Sequence, residues 1–302
     1  MKISTQVAKH KAFSLIEISL AILIIGILVA GISKGADLYE QSRLNVARQL
    51  TINSRVPRIN GLLFWVETTL EKSLLATETA ESSPISQWND INPFAIEKLY
   101  LTRVANNFIT YKKSSIGNLP SIYFNGNGGT LNLSTAPTPT QLTFFKTTNQ
   151  VISVFMVIDG ENSTSNKHRV LFTNGNTSTS GVSLFQSRDN RLMVLFGGVN
   201  LWSSTNQFDF SANAIICFTY GGVGTFFAQI YRNGSFVNLP SINRNPNNAF
   251  GSFAIAGNNT NDNEAWKGNI SELIVYDRVI TPAERIEIQD YLSKKYAIKI
   301  IS

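Results

Sequence analysis

The sequence predicts a mainly β protein, in which a long N-terminal α-helix precedes an antiparallel β-sandwich and a C-terminal helix follows it. Three observations predict this fold class. An apolar segment near the N-terminus is long enough to cross a membrane. From about residue 88, short apolar runs punctuated by Asn and Gly recur without helical patterns between them. A helix-capping sequence follows the last of these runs.

Length and charge limit the possible functions. The 302 residues leave room for one domain with a substantial core after the helix. The net charge of +6 does not indicate nucleic acid, because Lys2, Lys9 and Lys11 precede the apolar segment and the other basic residues are scattered. We therefore expect no nucleic-acid partner.

The scarcity of cysteine and histidine argues against an intrachain disulfide and against a His-rich metal site. Cys217 is the single cysteine and lies in an apolar run, so we expect a buried packing residue and a domain held together without a disulfide. His10 and His168 are the two histidines, which excludes a His-rich metal site. We expect no resident cofactor.

The apolar segment contains one carboxylate close to its start. Residues 13 to 33 would span about 31 Å as a helix, close to the ~30 Å thickness of the hydrocarbon layer. Glu17 lies within them, and a charged side chain in hydrocarbon costs roughly 2.5–3.5 kcal/mol. A secretory signal peptide or a plain single-pass anchor would match the apolar run but leave Glu17 unexplained. The lysines before the helix predict a cytoplasmic N-terminus.

The start of this segment resembles the cleavage and methylation signal of type IV prepilins and pseudopilins, and the matching residues are Phe13, Leu15, Ile16, Glu17 and Gly26. The resemblance implies that a prepilin peptidase cuts between Ala12 and Phe13, that Phe13 is N-methylated, and that the helix bundles with other pilin or pseudopilin subunits. It also implies that Glu17 pairs with the Phe13 amine of a neighbouring subunit. Ala12 departs from the usual Gly, and Lys34 from the Pro that bends many pilin helices, so we expect no kink.

The helical pattern continues beyond the membrane segment and stops before Pro57, because the residue ahead of a proline disfavours helical geometry. Its expected apolar stripe comprises Leu38, Leu44, Val46, Leu50 and Ile52. The predicted organisation is therefore a leader at 1–12, a pilin helix at 13–56 that crosses the membrane at about 13–33, and a sandwich domain at 57–302.

Short apolar runs predict the strands of the sandwich. The run 62–66 predicts the first strand, and residues 67–86 are expected to form a loop with a helical turn. Further strands are predicted at 121–124, 142–145, 151–158, 170–173, 182–186, 192–196, 215–220, 226–231, 235–239, 252–256 and 270–276. Asn233-Gly234 predicts a two-residue type I′ hairpin, because both residues tolerate a positive φ.

The chain closes with a helix. Thr281-Pro282-Ala283-Glu284 combines a capping box with Pro at the first helical position and predicts a helix at about 282–295. The expected apolar stripe comprises Ile288, Tyr291, Leu292 and Tyr296.

This C-terminal passage resembles the closing strand and helix of laminin-G-like (concanavalin A-like) jelly rolls, on residues 266–278, 281–285 and 291–296. Earlier fragments agree with that fold in order, at 62–65, 88–90, 122–126 and 231–234. The resemblance spans roughly residues 60 to 298 and places Trp88 and Trp266 in the core. It does not imply one function, because this fold carries lectins, hydrolases and inert spacers.

The sequence lacks the carboxylate pattern that the resemblance implies for hydrolases of this fold. Such enzymes would carry Glu-x-Asp-x-x-Glu on one strand, and no such run occurs. Glu272 has Ile274 and Tyr276 at the matching positions, so we expect it to lack a carboxylate partner. We therefore expect no catalytic residues and no enzyme activity.

Two places offer a ligand site. The loop from Asn258 to Glu264, which includes Asn261 and Asp262, carries oxygen ligands of the kind that Ca²⁺ takes. A solvated, Asn-rich turn explains the same residues. Trp202 lies in a polar stretch, where its ring could stack on a sugar.

These inferences combine into one hypothesis about function. The protein is predicted to be a bacterial type IV pilin-like or pseudopilin subunit, anchored in the inner membrane before assembly, with a periplasmic or extracellular sandwich domain. That domain would bind a glycan or a surface protein. Two alternatives stay open, a membrane-tethered lectin or adhesin that never polymerises and a tethered glycoside hydrolase.

Overall fold

The computed structural model describes residues 14–301, except 97, 105–108, 134–150, 165–166, 175–180, 197–199, 222–226, 240–252 and 258–263. The chain divides into two compact units, Met1–Val46 and Ala47–Ser302. Helix α1 (Leu15–Ile52) contributes to both. In the first unit its segment Leu15–Ile32 has a mean hydropathy of 2.7 and is not buried. Its length and composition fit a membrane span or a signal anchor.

The end of α1 belongs to the second unit. The helix stops before Pro57, as predicted, and a 3-10 turn (Val56–Arg58) follows it. Ala47 and Thr51 are buried, whereas Ile52 is 61% exposed and Val46 58% exposed. The predicted stripe was therefore wrong at Val46 and Ile52. Helical spacing shows which residues share a face, but tertiary packing decides which face is covered.

The rest of the second unit is a sandwich of two antiparallel sheets, each with eight strands among the described residues. Sheet I contains β1 (Leu62–Glu67), β4 (Ile109–Lys112), β5 (Ser121–Asn125), β7 (Ile152–Gly160), β12 (Ala214–Gly221), β13 (Phe227–Arg232), β14 (Ser235–Val237) and β16 (Lys267–Tyr276). Its strand order is β14-β13-β12-β7-β16-β5-β4, and β1 pairs with β16 beyond the end of β5.

Sheet II contains β2 (Gln87–Asn89), β3 (Tyr100–Arg103), β6 (Leu131–Leu133), β8 (Arg169–Asn174), β9 (Val182–Gln186), β10 (Arg191–Phe196), β11 (Asn200–Gln207) and β15 (Phe253–Ile255). Its strand order is β11-β10-β9-β8-β15-β6-β3-β2. Two further 3-10 turns lie in connections, at Ala76–Glu78 and Ile116–Asn118.

Two large cores and a small cluster of Val170, Phe185 and Met193 hold the described part of this unit together. The main core fills the space between the sheets and includes Trp88 and Trp266, as predicted. The second core lies on the other face of sheet I, where helix α2 (Pro282–Tyr296) and the end of α1 pack. Cys217 is buried in this second core, and burial raises the pKa of its thiol. It is a packing residue, as expected.

Most of the predicted elements are confirmed to within about three residues at their ends. The α2 capping box is present between Thr281 and Glu284, and Asn233 and Gly234 have the positive φ values that the hairpin requires, 49° and 84°. The predicted strand 142–145 lies outside the described residues. Sequence analysis missed β2, β3, β4 and β6, which are too short for a clear pattern, and β11, which is mostly polar.

Candidate functional sites

The predicted processing signal is described in part. Ala12 and Phe13 lie outside the described residues, whereas Glu17 lies in the first turn of α1. The Ser14 amide donates to Glu17 Oε2 at 2.8 Å, and the Glu17 amide donates to Ser14 Oγ at 3.2 Å. This is a capping box. Glu17 therefore helps to start the helix, a role that sequence analysis missed although the spacing Ser-x-x-Glu is its signal.

The predicted ligand residues stay untested. Asn261 and Asp262 lie outside the described residues. Trp202 is paired with Val194 in the ladder of β10 and β11, but its side chain is not among those described. Over the described parts of the chain, no group of three or more His, Cys, Asp and Glu side chains could hold a metal ion.

Three charged residues meet between sheet I and α2, and we call them the Lys295 cluster: Glu67, Glu272 and Lys295. Glu67 on β1 pairs directly with Glu272 on β16. Both carboxylates face α2, whose Lys295 Nζ lies 2.8 Å from Glu67 Oε2 and 2.8 Å from Glu272 Oε2. The expectation that Glu272 lacks a carboxylate partner was wrong. Its partner comes from the neighbouring strand, which the search along one strand did not consider.

Hydrogen bonds occupy the remaining carboxylate positions. Glu272 Oε1 accepts from Trp65 Nε1 at 2.7 Å and from the Tyr291 hydroxyl at 2.8 Å, while Glu272 Oε2 accepts from the Tyr296 hydroxyl at 2.9 Å. Glu67 Oε1 accepts from the Leu70 amide at 2.7 Å and from Ser73 Oγ at 2.6 Å. Both oxygens of each carboxylate are thus satisfied, as a buried charge requires.

Burial and charge oppose each other in this cluster. Burial works to raise the pKa of Glu67, but the charge and hydrogen bonds around it, chiefly from Lys295, outweigh burial and lower the pKa to about 2. Burial works to lower the pKa of Lys295, but Glu272 and Glu67 raise it. The Glu67 contribution to stability is therefore present above pH 4.5 and is lost as the pH falls towards 2.

The cluster connects the two ends of the domain. Thr51 Oγ1, near the end of α1, lies 3.2 Å from the Tyr291 hydroxyl that donates to Glu272. Arg48 Nε donates to the Thr69 carbonyl at 2.8 Å, and the Thr69 amide donates to Glu67 at 2.7 Å. The end of α1, β1, β16 and α2 thus share one polar network.

The outer face of sheet II is closed at its centre. Neighbouring strands place Asn132, Ala254, Thr173 and Ser183 side by side on that face, because each alternates with residues of the main core. Thr173 and Ser183 are only 1% exposed, and their hydroxyl oxygens lie 2.6 Å apart. A ligand therefore has no direct access to this part of the sheet.

A cavity of about 400 Å³ opens beside the turn that follows α1. Its walls include Arg58, Asn60, Asn92 and Phe94. Phe94 is 71% exposed, so its ring is available for stacking. The volume lies within the range of small-ligand sites, roughly 300–1,000 Å³.

The fold described above is that of a concanavalin A-like domain. A family model described as "Concanavalin A-like lectin/glucanases superfamily" matches residues 125–284, which is more than half of the chain. The chain belongs to this superfamily. A comparison with curated protein sequences gives no match.

Solved structures resemble the same domain. Trypanosoma rangeli sialidase matches with a TM-score of 0.53 and 14% identity over 78% of this chain and 33% of the sialidase. Domain 4 of an extracellular arabinanase from Geobacillus stearothermophilus, in complex with arabinotriose, matches with a TM-score of 0.52 and 18% identity over 76% of this chain and 98% of that domain. The binding domain of botulinum neurotoxin serotype D/C matches with a TM-score of 0.52 and 11% identity over 77% of this chain and 52% of its own.

These likenesses show the fold alone, because the identities are low. The chain spans only about a third of the length of the sialidase that it matches.

Proposed function

We propose that this protein is a type IV pilin-like or pseudopilin subunit that carries a concanavalin A-like binding domain. The observation that supports it most directly is the uncovered helix of the first unit. Its span Leu15–Ile32 is apolar except for Glu17 and Ser19, and none of it is buried within the described part of the structure. Such a helix needs lipid or other subunits around it. The resemblance of the residues from Phe13 to Glu17 to a prepilin signal supports a pilus or pseudopilus as that assembly.

Glu17 can serve in the capping box with Ser14, or it can pair with the Phe13 amine of a neighbouring subunit. One substitution separates these two roles. Glutamine also completes a capping box, so Glu17→Gln keeps the start of the helix and removes the charge. If pairing with the Phe13 amine of a neighbour drives assembly, Glu17→Gln enters the membrane normally but is not incorporated into filaments. Immunoblots of sheared filaments and of membranes measure both steps.

Ser14→Ala is the matched control. It removes the hydroxyl of the cap and retains the charge of Glu17, so we expect it to assemble. Incorporation of Glu17→Gln at the level of the unsubstituted protein would contradict the pilin proposal. Mass spectrometry of the membrane-extracted chain gives an independent test, with a methylated Phe13 as the expected N-terminus. A chain that still begins at Met1 would favour a tethered lectin or adhesin.

For the sandwich domain we propose binding of a glycan, with a surface protein as the other candidate. The similar arabinanase domain, solved with arabinotriose, supports this choice of ligand. The cavity beside α1 supplies an exposed aromatic ring and the guanidinium of Arg58, a combination that suits a sugar.

A glycan array probed with the full chain in detergent tests this site. We expect Phe94→Ala to weaken binding to any glycan that is retained by tenfold or more, because the stacking surface is lost. Ile96→Ala is the matched control, since Ile96 is 98% exposed in the same loop and does not line the cavity. If Phe94→Ala and Ile96→Ala weaken glycan binding equally, the glycan site does not lie in this cavity.

We do not propose a hydrolase. Glu67 and Glu272 form a pair of neighbouring carboxylates, which is what a glycosidase needs. Both side chains are fully buried, however, as is Lys295. A polysaccharide cannot reach this pair without removal of α2.

A further inference from the structure

The Lys295 cluster places an amine and a carboxyl group in contact inside the protein, with the groups needed to join them. We propose that Lys295 and Glu272 condense into an intramolecular amide bond and that Glu67 relays the protons. This inference concerns the sandwich domain and does not depend on its role in a pilus.

The reaction needs no partner or cofactor. Lys295 passes one ammonium proton to Glu67, its neutral nitrogen then attacks Cδ of Glu272, a C–N bond forms, and the C–O bond to Oε2 breaks. Two of the three ammonium protons leave with Oε2 as water, and the third stays on the amide nitrogen. Glu67 Oε2 lies 2.8 Å from the same nitrogen and can accept a proton and return it to the leaving oxygen.

The surroundings fit the intermediate of this reaction. Negative charge develops on Glu272 Oε1 during the attack, and this oxygen already accepts from Trp65 Nε1 and the Tyr291 hydroxyl at 2.7 Å and 2.8 Å. Two donors at such distances are the arrangement of an oxyanion hole. The leaving oxygen, Oε2, accepts from the Tyr296 hydroxyl.

Glu67 suits the part of the base better than that of the electrophile. Its oxygens accept from the Thr69 and Leu70 amides and from the Ser73 hydroxyl, which stabilise it as an anion. The charge of Lys295 is the strongest influence that keeps the pKa of Glu67 low. This charge disappears when a proton passes from Lys295 to Glu67, so Glu67 can hold the proton until the leaving oxygen takes it.

The atoms of the product amide keep hydrogen-bond partners. The amide N–H faces Glu67 Oε2, and the amide oxygen keeps Trp65 and Tyr291 as donors. The Tyr296 hydroxyl loses Oε2 but lies 3.3 Å from the Ser271 carbonyl. Two buried charges are replaced by a neutral amide, which removes their desolvation cost. Glu67 remains a buried carboxylate, and the Thr69 and Leu70 amides and the Ser73 hydroxyl still donate to it.

Peptide mapping of the full chain, extracted from membranes and digested with trypsin, tests the proposal. Trypsin isolates residues 268–278, and it isolates residues 295–299 only when the Lys295 amine is acylated, because it cuts after a free Lys295 and then gives residues 296–299. The expected result is one branched peptide that contains both segments and is lighter than their sum by one water. Separate peptides of full mass from folded protein would overturn the proposal. A branch from Lys295 to Glu67 would overturn the choice of electrophile.

Two substitutions complete the experiment. Glu67→Gln keeps the shape of the cluster and removes the base, so we expect the two peptides to be recovered separately. A branched peptide in this variant would overturn the role of Glu67. Lys294→Arg changes the exposed neighbouring lysine and should leave the branched peptide unchanged.

Discussion

Lys295→Met is expected to lower the free energy of unfolding of the sandwich domain by about 3–5 kcal/mol, the usual cost of removing one partner from a buried ion pair. The substitution leaves Glu67 and Glu272 opposite each other with no positive charge between them. If Lys295 and Glu272 form the proposed amide bond, the loss of stability is larger than this, because the substitution also removes a covalent link. Urea unfolding of the full chain in detergent, followed by tryptophan fluorescence, measures it.

Two further variants give the control and the rescue for Lys295→Met. Lys294→Met alters an exposed lysine one position away, and we expect a change within about 0.5 kcal/mol. Glu67→Gln and Glu272→Gln combined with Lys295→Met remove all three charges, and this triple variant should be more stable than Lys295→Met alone. If Lys295→Met is as stable as the unsubstituted protein, the Lys295 cluster does not hold α2 in place.

Local signals in the sequence predict local structure in this protein. The α2 capping box and the Asn233-Gly234 hairpin each depend on residues only a few positions apart, and both are confirmed. The resemblance to laminin-G-like jelly rolls implies that Trp88 and Trp266 lie in the core, and both are fully buried there. These features need no knowledge of which strands pair.

The Lys295 cluster could not be predicted in this way. Glu67 and Glu272 meet because β1 pairs with β16, and the two strands lie at opposite ends of the domain sequence. Alternation within each strand shows that each carboxylate faces away from the main core, but only the register between the strands makes them neighbours. The helix stripe at Val46 and Ile52 was wrong for the same reason, since packing rather than spacing selects the buried face.

The second large effect on the free energy of unfolding is expected at Gly117, in the 3-10 turn Ile116–Asn118, because the end of α2 packs against it. Gly117 has φ of +60°, and a Cβ atom there would lie 2.3 Å from the Tyr296 carbonyl oxygen and 2.7 Å from its carbon. Backbone atoms cannot rotate away, so Gly117→Ala must displace the end of α2. We expect a loss of about 2–5 kcal/mol, from the left-handed conformation together with the overpacking.

Ala297 offers a matched substitution for which we expect an effect on stability of the opposite sign. It follows α2 with φ of +53°, a conformation in which glycine is preferred after a helix. Ala297→Gly should therefore leave stability unchanged or raise it by up to about 1 kcal/mol.

Because Tyr296 connects Gly117 to Glu272 through its backbone and its hydroxyl, Gly117→Ala and Lys295→Met should cost less together than the sum of their separate effects. Full additivity in urea unfolding would mean that the turn and the Lys295 cluster hold α2 independently.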